Sequence, residues 1–150
     1  PVEYQTNPPS SGDHWPIWAE FRSYDAPVPR SMLVHNLEHG AVIMLYRCEA
    51  ECPEIPAAYE VAADTFGLDP LCAMGVNNAE RSRIVIAPDP LLDAPIGLAS
   101  WRATYVATCL DPPSILEFIE QHYGNGLEQV CAQGKDPADP ATGVPLCAEN

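Results

Sequence analysis

Ala41-Val42-Ile43-Met44-Leu45-Tyr46 is a six-residue run with no charged or amide side chain, and it limits the fold more tightly than any other segment. Closed by Arg47, it is strand-sized and rich in residues that suit a pleated surface. It predicts a strand over residues 41–47 that is buried on both faces. No apolar run in the chain is longer, and none approaches the ~20 residues that span a bilayer. Direct membrane insertion of this chain is therefore not expected.

The other elements arrange themselves around that strand. Residues 53–66 read as a helix stopped by Gly67. Residues 68–81 read as loop. Residues 84–87 form a short strand closed by Pro88-Asp89-Pro90. Residues 96–99 and 101–109 make a further β stretch or hairpin. Pro112-Pro113 opens a second helix through residue 123, with Ile115, Leu116, Phe118 and Ile119 inward and Gly124-Asn125-Gly126 as its end. Beyond Val130, Pro137, Pro140, Gly143 and Pro145 argue against regular structure.

The first 31 residues follow a different rule. Asn7-Pro8-Pro9-Ser10-Ser11-Gly12-Asp13-His14-Trp15-Pro16 cannot be a regular helix or a central strand. Yet the segment carries Tyr4, Trp15, Trp18, Phe21 and Tyr24, which must pack on something. An ordered wrapping segment is expected. The sum is an α+β fold: a small mixed or antiparallel sheet, two main helices, a long ordered N-terminal wrapping segment and a disulfide-stapled C-terminal tail. At 150 residues it fits a single domain spanning 1–150.

Charge excludes two partner classes. The chain has 21 acidic residues against 7 basic, a net charge of −14. Nucleic acid demands a basic footprint, and the few basic residues here are scattered singly. An anionic membrane surface is disfavoured for the same reason. A negative field instead concentrates metal cations and basic partners, and the acidic surface with its aromatics is a candidate face for a protein partner.

Six cysteines at irregular spacing, Cys48, Cys52, Cys72, Cys109, Cys131 and Cys147, include no CxxC pair. A zinc ribbon or thioredoxin motif has no support. Disulfides in an oxidising compartment fit better. Many pairings are open; the one favoured is Cys131–Cys147, which would staple the tail. The chain starts at Pro1, without an initiator methionine, and is read as an exported, mature or trimmed form, periplasmic or extracellular.

Three of four histidines fall in two compact motifs, Ser11-Gly12-Asp13-His14 and His35-Asn36-Leu37-Glu38-His39-Gly40. On a strand His35 and His39 would lie ~13 Å apart, too far to share an ion. On a helical turn they lie ~6 Å apart on one face. Metal binding thus requires residues 35–39 to coil before the strand begins, with Gly40 as the stop. His14 is the third candidate ligand, with Asp13 placed to cap the turn or orient it. A fourth position is left for water, the Glu38 carboxylate or a thioether, of which Met44 and Met32 are near in sequence. Three imidazoles suit zinc or copper, and an added methionine would favour copper. The competing reading is a polar cluster that ties loop to strand, with Glu38 in a salt bridge or orienting a histidine. His122, alone on the last helix, reads as a surface residue.

Residues 35–39 also match the HxxEH pattern of inverted zinc proteases, in which the glutamate activates water. That pattern needs a long helix, and Gly40 and a β-type run follow at once.

Taken together, Pro8-Pro9-Ser10-Ser11-Gly12-Asp13-His14 and His35-Asn36-Leu37-Glu38-His39-Gly40 resemble the PPxSGxH and HNLEHG signature of a bacterial domain family of unknown function. Tyr24-Asp25-Ala26-Pro27-Val28-Pro29 and the later stretch around Ala87-Pro88, Trp101, Phe118 and Tyr123 agree with it. The resemblance covers about residues 4–128 and leaves 129–150 as an extension. It implies that members are exported or membrane-anchored in the full-length precursor, and that His14, His35, Glu38 and His39 form the site. It implies no activity. The functional expectation is an exported domain that holds copper or zinc through His14, His35 and His39, an accessory part of a surface assembly. The alternatives are a metalloenzyme, hydrolytic with Glu38 as base or oxidative with copper, and an interaction module without metal.

Overall fold

The computed structural model describes residues 2–73 and 82–143. In chain order the regular elements are α1 (Arg30–Glu38), β1 (Val42–Tyr46), α2 (Glu54–Phe66), α3 (Pro70–Ala73), β2 (Ile84–Pro88), β3 (Ile96–Ser100), β4 (Ala103–Ala107) and α4 (Pro112–His122), followed by a 3₁₀ turn at Pro140–Thr142. The strands form one mixed sheet in the order β2-β1-β3-β4. β1 pairs parallel with β2 and antiparallel with β3; β3 and β4 are an antiparallel hairpin. None of the described helices is long and apolar enough to cross a membrane.

β1 is central and buried on both faces, as its run of apolar residues requires. Its even residues Val42 and Met44 join Ile84, Ile86, Ile96 and Leu98 on one face. Tyr59 from α2 and Ile115, Phe118 and Ile119 from α4 cover that face. Its odd residues Ile43 and Leu45 join Val85, Ala87 and Ala99 on the other. There Met32, Leu33 and Leu37 of α1 pack with Ala19, Tyr24 and Val28 of the N-terminal wrapping segment before α1, here called the leader. The leader is thus an ordered wrap, as its aromatics imply. It also reaches the outer edge of β2, where the Tyr24 amide donates to the Ile86 carbonyl at 2.8 Å and the Ile86 amide to the Arg22 carbonyl at 3.2 Å.

Several expectations need correction. The helical turn expected at 35–39 is there but belongs to a longer element, the end of a nine-residue helix. Contiguous Met32-Leu33-Val34 looks strand-like, but α1 lies between the sheet and the leader and is apolar on more than one side. Such a helix lacks the polar stripe that announces an amphipathic one. The stretch 68–81, expected to be loop, contains α3; residues 74–81 lie outside the described residues.

Leu116 is only half-buried, while Ile115, Phe118 and Ile119 are buried. Cys131 does not pair with Cys147, which is outside the described residues. It bonds to Cys72, with Cα atoms 5.0 Å apart, and so ties the tail to α3. A second disulfide joins Cys48 and Cys52.

Candidate metal centre

The site lies where the leader crosses α1. Asn36 is fully buried, and its amide clamps the leader at both ends of one residue. Its Nδ2 donates to the Ala19 carbonyl at 2.8 Å, and its Oδ1 accepts from the Ala19 amide at 3.0 Å. One residue earlier on the helix, His35 Nδ1 lies 2.6 Å from the Trp15 carbonyl. These contacts fix the leader against α1 and carry His14 to it. Gly12 makes the bend: its φ of +127° disfavours a side chain, and a Cβ there would press on the Tyr4 ring.

Three side chains converge. The ligand atoms of His14, His35 and Glu38 all lie within 4.8 Å of one another. Glu38 Oε2 is 3.1 Å from His14 Nε2 and 4.0 Å from His35 Nε2. His14 Nδ1 meets the Gly12 carbonyl at 3.0 Å, so Gly12 orients this ring, one of the two roles weighed for Asp13.

A carbonyl oxygen only accepts, so each Nδ1 carries the hydrogen, and each neutral ring then presents an Nε2 lone pair. The lone pair of His14 faces a carboxylate oxygen, itself an acceptor. Two acceptors 3.1 Å apart need a cation between them, either a proton on Nε2 or a metal ion. A tetrahedral ion bound at 2.0–2.1 Å sets its ligand atoms about 3.3 Å apart. The two separations to Glu38 straddle that value. Fixing the tautomer through a carbonyl on the far ring nitrogen is the usual support for a metal-binding imidazole.

His39 stands beside this group and not in it. Its ring centroid is 4.6 Å from that of His35, and it is 3% exposed. Its Nε2 is 3.5 Å from Glu128 Oε2, and its Nδ1 is buried without a hydrogen-bond partner among the described residues. Burial, and then the neighbouring His35, push its pKa down to about 4, against the pull of Glu38. It is a neutral imidazole at physiological pH. The Trp18 indole covers His35 and His39, with ring centroids 5.1 and 4.6 Å away, while its Nε1 donates to the Ala132 carbonyl at 3.2 Å.

Met44 is on the far face of the sheet, packed with the α2 and α4 side chains. Strand alternation separates it from α1, so it is no ligand of this centre. Met32, a residue of α1, is buried in the core that this helix shares with the sheet. His122 packs on Phe118 at 4.6 Å, outside the site. Sequence reasoning missed Asn36 and the covering role of Trp18. The signal for Asn36 was an amide inside an apolar helix, which needs a partner when buried.

The C-terminal end of α1 is held with unusual completeness. Gly40, at φ +80°, takes the left-handed position. The Gly40 amide donates to the Leu37 carbonyl and the Ala41 amide to the Asn36 carbonyl, the pairing of a Schellman cap. The next carbonyls are met from elsewhere: Glu38 by the Glu128 amide, His39 by the Arg83 guanidinium and Gly40 by the Gly124 amide. Gly126 lies so close to the Glu38 and Gly40 backbone that no Cβ fits there. Glu38 and His39 are therefore placed by a rigid support.

The sequence model of a family described as "Protein of unknown function (DUF3105)" matches residues 1–134. No curated protein and no solved structure matches the chain.

Proposed function

This chain belongs to the DUF3105 family, and from that premise we propose that it is an exported metal-binding domain holding copper(II) or zinc. In this reading His14 Nε2, His35 Nε2 and Glu38 Oε2 are ligands. The observation that carries it is the pair of Nδ1–carbonyl contacts, which turn two imidazole lone pairs toward one carboxylate. Glu38 stands where the three-histidine expectation had His39, and His39, a neutral imidazole packed on His35, supports the group from beside it. With no sulfur donor in the described group, the donor set suits a borderline divalent ion. The disulfides fit an oxidising compartment outside the cytosol, and the negative charge favours capture of a cation. Glu38 acts as a ligand here, which speaks against its service as a free general base.

The test is ion content after loading the purified chain with Zn(II), Cu(II), Co(II) and Ni(II), followed by dialysis. One ion per chain is expected for zinc or copper. His35→Ala and Glu38→Gln should each lose it, and His39→Ala should weaken binding by about 10- to 100-fold. Met44→Leu should bind as the parent does. Unchanged ion content in both His35→Ala and Glu38→Gln would overturn the reading.

A further inference from the structure

On the sheet face away from the metal centre, α2 and α4 lie side by side and leave an open groove of about 690 Å³. Ala57, Ala58, Val61 and Thr65 line it from α2, and Pro113 and Leu116 from α4. Val61 is 64% exposed. These α2 positions repeat at three- and four-residue intervals, so they form one stripe along the outer side of the helix. A stripe of this kind is normally turned inward. Here the inward side is a different one, carried by Ile55, Tyr59, Ala62 and Ala63.

Among the described residues of α2 and α4, the exposed charges are all acidic. Residues 48–73 and 103–134 contain no lysine or arginine. Glu54 lines the groove at the start of α2. Asp111, Glu117 and Glu120 belong to α4 and its approach, and all are exposed. A second copy of this chain would bring one acidic rim against another. An anionic lipid surface would be repelled as well. An apolar floor that carries Glu54, on two helices whose exposed charges are acidic, complements a helix with an apolar face and basic flanks, docked lengthwise.

We propose that the α2–α4 groove is the docking site for an amphipathic, lysine- or arginine-flanked helix of a partner protein. The apolar floor supplies the contact area, and the acidic rim sets orientation and association rate. The site is independent of metal binding, because the sheet separates the two.

The probe is a synthetic helix of about 14 residues, matched to the ~20 Å length of α2, with leucine on one face and lysine on the other. It is titrated against the full chain by fluorescence anisotropy, beside the same helix carrying glutamate for lysine. The lysine form should bind, more weakly as salt rises, and the glutamate form should not. Val61→Asp and Thr65→Asp are exposed substitutions whose folding is checked by circular dichroism. Each should cut affinity about tenfold or more although each adds a negative charge. Glu54→Gln with Glu120→Gln should cut it several-fold and flatten the salt dependence. Absence of binding, equal binding of the glutamate helix, or undiminished binding to Val61→Asp would overturn the proposal. So would a sedimenting dimer that Val61→Asp dissociates, which would assign the groove to a second copy.

Discussion

Asn36 holds both polar backbone groups of Ala19 with one side chain, inside a helix where neither group has water to turn to. Asn36→Ala would leave a buried N–H and a buried C=O unpaired, at roughly 1–3 kcal/mol each. Denaturant unfolding of the apo chain should show a loss in that combined range. Ion affinity should fall with it, because His14 is carried on the leader that Asn36 holds. Asn36→Asp keeps the acceptor but faces the Ala19 carbonyl with a carboxylate oxygen; it should do no better. An unchanged midpoint in both variants would remove Asn36 from its positioning role. At this scale the sequence was only partly legible. Histidine is rare in this chain and concentrated in two motifs, so the donors stood out. The amide did not, since its partner is a backbone position 17 residues away with no side-chain signature. Met44 was weighed by its nearness along the chain, which strand alternation makes a poor guide to nearness in space.

Among the elements, β1, α2 and α4 were readable because local chemistry marks their ends: an unbroken apolar run, Gly67 as a stop, Pro112-Pro113 as a start. α1 carries no such mark at its beginning, where Pro29 offers no side-chain cap, and its stability comes from tertiary packing. Its far end depends on Arg83, a buried guanidinium shared between the His39 carbonyl, Gln129 Oε1 at 3.0 Å and Asp69 Oδ2 at 3.1 Å. Asp69 also accepts from the Tyr123 hydroxyl at 2.6 Å and the Leu71 amide at 2.8 Å. Burial by itself would raise the Asp69 pKa. The hydrogen bonds from Tyr123 and Leu71 and the charge of Arg83 outweigh it, and the net shift is downward. A carboxylate lowered on folding adds stability above its unfolded pKa of ~3.9 and loses it as pH falls through the lower folded value. Calorimetry across pH 7 to 2 should therefore show this contribution disappearing in the acid range. Asp69→Asn should be less stable at pH 7 and lack that part of the acid dependence. A parallel pair of profiles would sink the assignment.

For the whole molecule, the two sheet faces are closed by distant stretches of chain, and among the described residues one long-range covalent tie joins α3 to the C-terminal region. Cys72 and Cys131 are 59 residues apart. In the chain-entropy account a closed loop of that size is worth about 4 kcal/mol. Cys72→Ala with Cys131→Ala should lose stability on that scale in urea unfolding. The paired substitution at Cys48 and Cys52, only four apart, should lose much less. Equal losses would show that loop closure is not the source. The unbroken apolar run of β1 announced a sheet covered on both sides, but the disulfide pairing was beyond reach, because spacing does not say which cysteines meet. The leader has one more duty, seen in its bridge to the outer edge of β2. An uncovered outer strand is a template for pairing between molecules. A protease that nicked the chain near Arg22 would thus release the clamp on the imidazoles and bare that template in a single cut, so shedding of the ion and the onset of clumping would share one clock.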